Sequence, residues 1–473
     1  MVHDDCQILG ETMKYRTETD SLGEVSVPEH ALWGAQTQRA SENFPHMGDT
    51  MPWPVIEALA TVKKAAALAN AELGYLEPGL KNLIVQACDE VLARQHDDQF
   101  PLPVWQSGSG TQSNMNMNEV LANRANEIAG HRRGEKQPVH PNDHVNCSQS
   151  SNDVFPTAMH LAVLGTVERR LLPALTALRE SLQRKAGEFD TLWKVGRTHF
   201  MDAAPLTLGQ EFSGYVAQID LAQAQLQHAR DGLYPLAIGG TAVGTGLNAP
   251  SGWSSAIIEQ LHSMTGQSVR SADNKFAALS SHGPLLAVSS SLRQVAAELL
   301  VIANNLRLLA SGPRAGLGEI RLPANEPGSS IMPGKVNPTQ IESIAMIAVQ
   351  VMGLDSAVAT ACSQGQLQLN VLKPLIVNNL LKAIEMLTEG AHHFVRHCLD
   401  GLDCNRQQLA GYVEHSLMIV TALTPQLGYD RAAEIAKYAQ EHGLTIRQVL
   451  EEQKVMSGNE FDRLIKQHVL IAN

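Results

Sequence analysis

An all-α fold is expected of these 473 residues, on three observations. Apolar residues recur at three- and four-residue steps over long stretches, no convincing two-residue alternation competes with them, and Gly, Pro, Ser, Thr and Asn collect in the short breaks. The clearest run is Leu285, Val288, Leu292, Val295, Leu299, Ile302, Leu306 and Leu309. This heptad seam, at 1.5 Å per residue, predicts a helix roughly 36 Å long. A helix of that length cannot be buried in a small domain, so it is expected to pack on other long helices, including those of other subunits. Leu164, Val167, Leu171, Ala174, Leu178 and Leu182 form a second stripe. Further runs over 208–233, 339–361 and 374–399 bring the long helices to five. Short helices are expected over 430–442, 445–453 and 458–465, and one or two small hairpins in the N-terminal region near 23–27. Polar breaks at 150–156 and after Asp403 divide the chain into a mostly helical domain 1–150, a long-helix bundle 151–403 and a small helical domain 404–473.

The hydrophobic fraction of 44% is ordinary for a globular chain. A formal net charge of −12 argues against nucleic acid or an anionic membrane as the main partner. An anionic ligand must therefore be drawn by a local cluster of donors. No uninterrupted apolar run approaches the roughly 18 residues of a membrane span. The acidic start, Met1-Val-His-Asp-Asp-Cys6, lacks the apolar stretch of a signal peptide. Cys6, Cys88, Cys147, Cys362, Cys398 and Cys404 are scattered, with no Cys-x-x-Cys pair. Free thiols in a reducing cytoplasm fit this usage, and no ferredoxin-like spacing points to an iron-sulfur cluster.

The polar loops carry the chemistry. Gly328-Ser-Ser-Ile-Met-Pro-Gly-Lys-Val-Asn-Pro338 sets hydroxyls, a lysine and an asparagine among Gly and Pro, which suits a grip on a small anion and on charge developing there. Taken alone it reads better as a plain Ser/Gly turn with a solvated lysine, and the other polar loops of the chain tip the balance. Ser107-Gly-Ser-Gly-Thr-Gln-Ser-Asn114 precedes a helix, where exposed N–H groups hold an anion or where the hydroxyls simply cap. It fails as a dinucleotide fingerprint, because no strand precedes it and the glycine spacing is wrong. In His140-Pro-Asn-Asp-His-Val-Asn-Cys-Ser-Gln-Ser-Ser-Asn-Asp153, a third ligand to join His140 and His144 on a metal is not evident, so Ser150, Ser151 and Asn152 read as neutral donors to a carboxylate or phosphate. His199, in Gly196-Arg-Thr-His199, is the general acid/base candidate, weighed against a capping or core histidine, the usual reading of a lone His, with Thr198 as a neighbouring donor. Gly239-Gly-Thr-Ala-Val-Gly-Thr-Gly-Leu-Asn248 has neither the lysine nor the strand of a phosphate loop and reads as a tight turn. His393 and His397 read as a solvated helix face.

Taken together these segments resemble the fumarase/aspartase superfamily, and within it the class II, iron-independent fumarases. The resemblance runs in order through Glu24-Val-Ser-Val-Pro28, Trp33-Gly-Ala-Gln-Thr-Gln-Arg39, Ser109-Gly-Thr-Gln-Ser-Asn-Met-Asn-Met-Asn118, Ser148-Gln-Ser-Ser-Asn-Asp153, Gly196-Arg-Thr-His199 with Asp202, Pro323-Ala-Asn-Glu-Pro327 and the 328–338 loop. Aspartases share the signature. Gln112-Ser113, Ser151 and Thr339-Gln-Ile-Glu342 are fumarase-like where aspartases usually differ.

The resemblance implies three helical domains, a homotetramer built on five long helices per chain, active sites where three subunits meet, and no metal or other cofactor. It implies hydration of fumarate to L-malate. By the same resemblance, Ser329 is the base, Lys335 and Asn337 stabilise the dianion with Ser330, and His199, oriented by Glu342, serves the leaving hydroxide through a water held by Asn146. Ser109, Gly110, Thr111, Ser150, Ser151, Asn152, Thr198 and Val336 complete substrate binding. His140, Pro141, Asn142 and Asp143 correspond to a second, non-catalytic anion site. Related chains often carry basic residues just before the valine there, whereas this one has Gln137 and Pro138.

Overall fold

The computed structural model describes residues 14–469. It is dominated by helices, and the described residues hold only four two-stranded sheets. The seams become helices where the spacing placed them: Leu208–Asp231, Gly283–Leu309, Thr339–Cys362 and Lys373–Phe394. Every seam residue from Leu285 to Leu309 is buried. The stripe over 164–182 crosses two α-helices, Ser151–Thr166 and Leu172–Glu188, joined by a π-turn at Val167–Leu171. The run over 374–399 likewise passes into a π-turn at Val395–Leu399. An extra residue per turn lets an apolar stripe continue past a local defect.

The chain falls into two compact units. The first comprises residues up to Leu171, Gln225–Arg293 and Val351–Glu385. At its centre lies the helix Trp53–Glu72, whose Val55, Leu59, Val62, Ala66 and Ala69 are fully buried. It packs against Pro78–Leu92, Ser151–Thr166 and Trp253–Thr265. The expected hairpin is present as Tyr15–Asp20 paired antiparallel with Gly23–Pro28.

The second unit comprises Leu172–Ala224, Gln294–Gln350 and Met386–Asn473. Its tail forms Tyr429–His442, Ile446–Glu452 and Gly458–Val469, around a core that includes Leu423, Ile435, Val449 and Phe461. It also contains a hairpin that periodicity did not predict, Trp193–Thr198 with Met201–Thr207. A bulge between Val195 and Arg197 interrupts its alternation.

By length and composition alone, Gly283–Leu309 and Thr339–Cys362 are apolar enough to cross a membrane. A buried hydrogen bond from Ser289 to Asp355, at 2.6 Å, joins these two helices.

Candidate active site

Two helix N-termini meet in the first unit. Gly110 caps the helix Thr111–Ile128 with φ of 77°, a conformation that favours glycine. A Cβ there would lie 2.3 Å from the Phe155 ring. Ser150 caps the helix Ser151–Thr166 through a capping box with Asp153. A line of hydroxyls joins the two ends: Ser107 to Ser109 at 3.0 Å, Ser109 to Thr111 at 2.8 Å, and Thr111 to Ser151 at 3.0 Å. Paired helix N-termini edged with hydroxyls make a site for a carboxylate, because both dipoles and the N–H groups favour negative charge.

The 239–248 turn supports this ledge. Backbone N–H groups of Gly239 and Thr241 both donate to Asp153 Oδ2 at 2.9 Å, and Asn152 Nδ2 donates to the carbonyl of Ala242 at 2.9 Å. Burial pushes the Asp153 carboxyl above its ordinary pKa, opposed by these hydrogen bonds and by the charge of Lys63.

Asn146 sits beside the helix Thr111–Ile128. Its Oδ1 accepts from Lys63 Nζ at 2.9 Å, Asn114 Nδ2 at 3.2 Å and Asn118 Nδ2 at 3.1 Å. Lys63 went unnoticed in the sequence. The signal was there: a lysine on the buried side of an alanine-rich run, seven residues before Asn70, which is also buried.

His140, Pro141 and Asn142 line a cleft with Glu18, Asp20, Glu119 and Lys136. His140 Nδ1 accepts from the backbone N–H of Asn142 at 3.2 Å and of Asp143 at 3.1 Å. Burial lowers the pKa of this ring, against the pull of Asp143.

The remaining candidate residues belong to the second unit. Thr198 and His199 occupy the exposed tip of the 193–207 hairpin. His199 and Phe200 have φ of 55° and 59°, so two consecutive left-handed residues close a two-residue turn. The base of the hairpin is held by ions. Glu319, fully buried, pairs with Lys194 at 2.9 Å and Arg197 at 2.6 Å, and Lys194 also pairs with Glu211 at 2.5 Å.

In the 328–338 loop, Ser329 Oγ accepts from the backbone N–H of Ile331 at 3.3 Å and Met332 at 3.1 Å. Gly328 donates its N–H to the carbonyl of Lys335 at 3.0 Å, and Asn337 Nδ2 donates to the carbonyl of Gly328 at 2.6 Å. These bonds close the loop on itself. A Cβ on Gly328 would fall 2.3 Å from Lys335 O, so only glycine fits. Ser330, Lys335 and Val336 are exposed, as is Glu342 in the first turn of Thr339–Cys362. Among the described residues, no hydrogen bond or ion pair joins His199 to Glu342.

A lyase family model matches residues 23–353, and a fumarase C C-terminal model matches 419–472. The chain belongs to the class II fumarases of the fumarase/aspartase superfamily. It is 56% identical to the class II fumarate hydratase of Thermosynechococcus vestitus, covering 97% of this chain and 98% of that one. It is 55% identical to that of Pseudomonas putida over the same shares. Class II fumarase from Schistosoma mansoni superposes with a TM-score of 0.92 at 44% identity, over 97% of this chain and 100% of that one. A fumarate lyase:delta crystallin from Brucella melitensis gives 0.93 at 43% identity, over 96% and 98%.

Proposed function

We propose that this chain is a fumarate hydratase that adds water reversibly, in the anti sense, to fumarate to give L-malate. The observation that carries the reading is Ser329 Oγ, which two backbone N–H groups face in a loop that also holds Lys335 and Asn337. Serine is a weak base unless its alkoxide is stabilised, and fixed N–H donors supply that stabilisation. In the dehydration direction Ser329 takes the C3 proton of malate. The electron pair moves into the adjacent carboxylate, and the resulting aci-carboxylate dianion is held by Lys335, Asn337 and Ser330. His199, positioned by Glu342, donates a proton through a water held by Asn146 as the C2 hydroxide leaves. The ledge of Ser109, Gly110, Thr111, Ser150, Ser151 and Asn152 takes substrate carboxylate, with Thr198 and Val336 completing the pocket.

These groups are contributed by different copies of the chain in a homotetramer, so a dilute monomer is expected to be inactive. Exposed Val301, Leu308, Met346 and Val349 on the long helices support such an assembly. We read the organisation as domains 1–150, 151–403 and 404–473, the last supported by the tail's own core. The cytoplasm is the proposed location, supported by cysteines that are free thiols among the described residues. The His140–Asp143 turn is proposed to bind anions weakly: its two N–H groups are already taken by the His140 ring, and Glu18, Asp20 and Glu119 face the cleft.

Incubation with L-malate and, separately, L-aspartate distinguishes the readings by the ultraviolet absorbance of fumarate. Product from malate is expected; product from aspartate alone refutes a hydratase and favours an ammonia-lyase. Activity on neither would leave a structural protein on a lyase scaffold, as lens crystallins of this superfamily are, an alternative opposed by the presence of Ser329, His199 and Lys335. Ser329→Ala is expected to lower kcat by about 10²-fold or more, on the scale of losing one fixed group from such a site. Near-normal turnover would remove the base assignment.

A further inference from the structure

We infer that Lys63 is a positioning residue for the reaction, acting through Asn146. Its side chain lies wholly inside the protein, on the helix Trp53–Glu72, beneath the 140–150 segment. Lys63 Nζ donates to two amide oxygens, Asn146 Oδ1 and Gln149 Oε1, each at 2.9 Å. With Asn114 and Asn118 it makes three donors converging on the one oxygen of Asn146. An amide with its oxygen pinned inward must present its nitrogen the other way. Asn146 Nδ2 touches the carbonyl of Gln149 at a long 3.3 Å, which leaves its second hydrogen for a ligand.

Two helical turns along the same face, Asn70 repeats the device. Its Nδ2 donates to the carbonyl of Cys147 at 3.0 Å and its Oδ1 accepts from Ser148 Oγ at 2.8 Å. Ser148 itself has φ of 65°, so the segment is bent into place and held from below. Lys63 and Asn70 thus set the height of the chain on which Asn146 and Ser150 stand. An apolar residue of similar volume would fill the site at less desolvation cost than an ammonium. What the Nζ–H donors add, in either protonation state, is orientation.

This role presupposes that Asn146 holds the reacting water, as proposed above. The test is a double-mutant cycle of Lys63→Met and Asn146→Ala, read as kcat/KM for malate alongside the thermal midpoint. Lys63→Met is expected to lower kcat/KM about 10–100-fold, the scale of a misplaced catalytic contact. In the Asn146→Ala background it should cost less than about twofold, because a residue acting through another has no effect once that other is gone. Lys63→Gln, which keeps an amide donor, repeats the cycle if the methionine variant does not fold. A full multiplicative loss in the double variant overturns the inference, as does a Lys63 variant with a lowered midpoint but unchanged kcat/KM. Wild-type activity in Asn146→Ala refutes the role of Asn146 itself, and with it that of Lys63. Loss in Asn146→Ala with none in the Lys63 variants refutes only Lys63.

Discussion

Removal of the Glu319 carboxylate should be among the most damaging single truncations in the second unit. Glu319 is 0% exposed and faces Lys194 and Arg197, whose side chains are 4% and 16% exposed. In Glu319→Ala, Lys194 keeps Glu211, but among the described residues the Arg197 side chain keeps only the ring of Tyr412, 5.4 Å from its guanidinium carbon. One guanidinium is thus left mostly buried without its carboxylate. Breaking such a pair from one side costs about 3–5 kcal/mol, because the survivor stays desolvated and uncompensated. The control is Glu434→Ala, in a pair with Arg431 whose members are 66% and 45% exposed. Water screens that pair, and its loss should cost about 0–1 kcal/mol. Denaturant midpoints followed by far-ultraviolet circular dichroism, at one fixed protein concentration, give both values. Glu319→Gln separates charge from packing and should lose more than half of the alanine effect. Because the network anchors the hairpin that carries His199, malate turnover measured well below the transition should fall too. A Glu319→Ala loss no larger than that of the control refutes the reasoning.

Three further outcomes follow from local geometry. His199→Asn should keep the hairpin, since asparagine tolerates the left-handed backbone at φ of 55°, while malate turnover falls about 10²–10⁴-fold; unchanged turnover would remove His199 from proton transfer. Gly110→Ala meets both a φ of 77° and the Phe155 ring, and should lower stability by more than about 1 kcal/mol and raise KM; an unshifted melting curve would refute the contact. Burial lowers the Lys63 pKa to about 7, against the pull of the Asp153 carboxylate; the neighbouring Cys88 thiol, pushed up by its own burial, stays neutral. The unfolded chain then binds the extra proton between about pH 7 and the ordinary lysine value, so stability rises with pH in that window and the burial cost is greatest below it. Relative to Lys63→Met, the native chain should therefore gain up to about 1.4 kcal/mol per pH unit from pH 7 upward, measured by denaturant titration; a flat difference would refute the lowered pKa.

The long helices were legible because their signal is local. A residue's place on a seam such as Leu285–Leu309 depends only on a period of 3.6, which the chain writes out in order. The Tyr15–Pro28 hairpin was half legible, from the short stretch 23–27. The 193–207 hairpin was not, because the bulge at Gly196 breaks the alternation by which strands are recognised. The π-turns at Val167–Leu171 and Val395–Leu399 were hidden for the opposite reason: the apolar stripe carries on through them.

The candidate site divides in the same way. Ser109, Thr111, Ser150, Ser151, His199, Ser329, Lys335 and Asn337 stand in polar loops, and their residue types and order along the chain identified them without coordinates. Lys63 and Asn70 lie inside the helix Trp53–Glu72 with no motif around them, and Asp153 stands in the first turn of Ser151–Thr166. What they do depends on which segment packs over them, whether the 140–150 turn or the 239–241 N–H groups, and residue spacing carries no record of that. The sequence by itself determined the helical class, the family and the set of candidate site residues, since each is written in local pattern or motif. Only the tertiary structure decided which buried groups lie against those residues, because a hydrogen bond between Lys63 and Asn146, 83 positions apart, exists only once the chain has brought them within 2.9 Å.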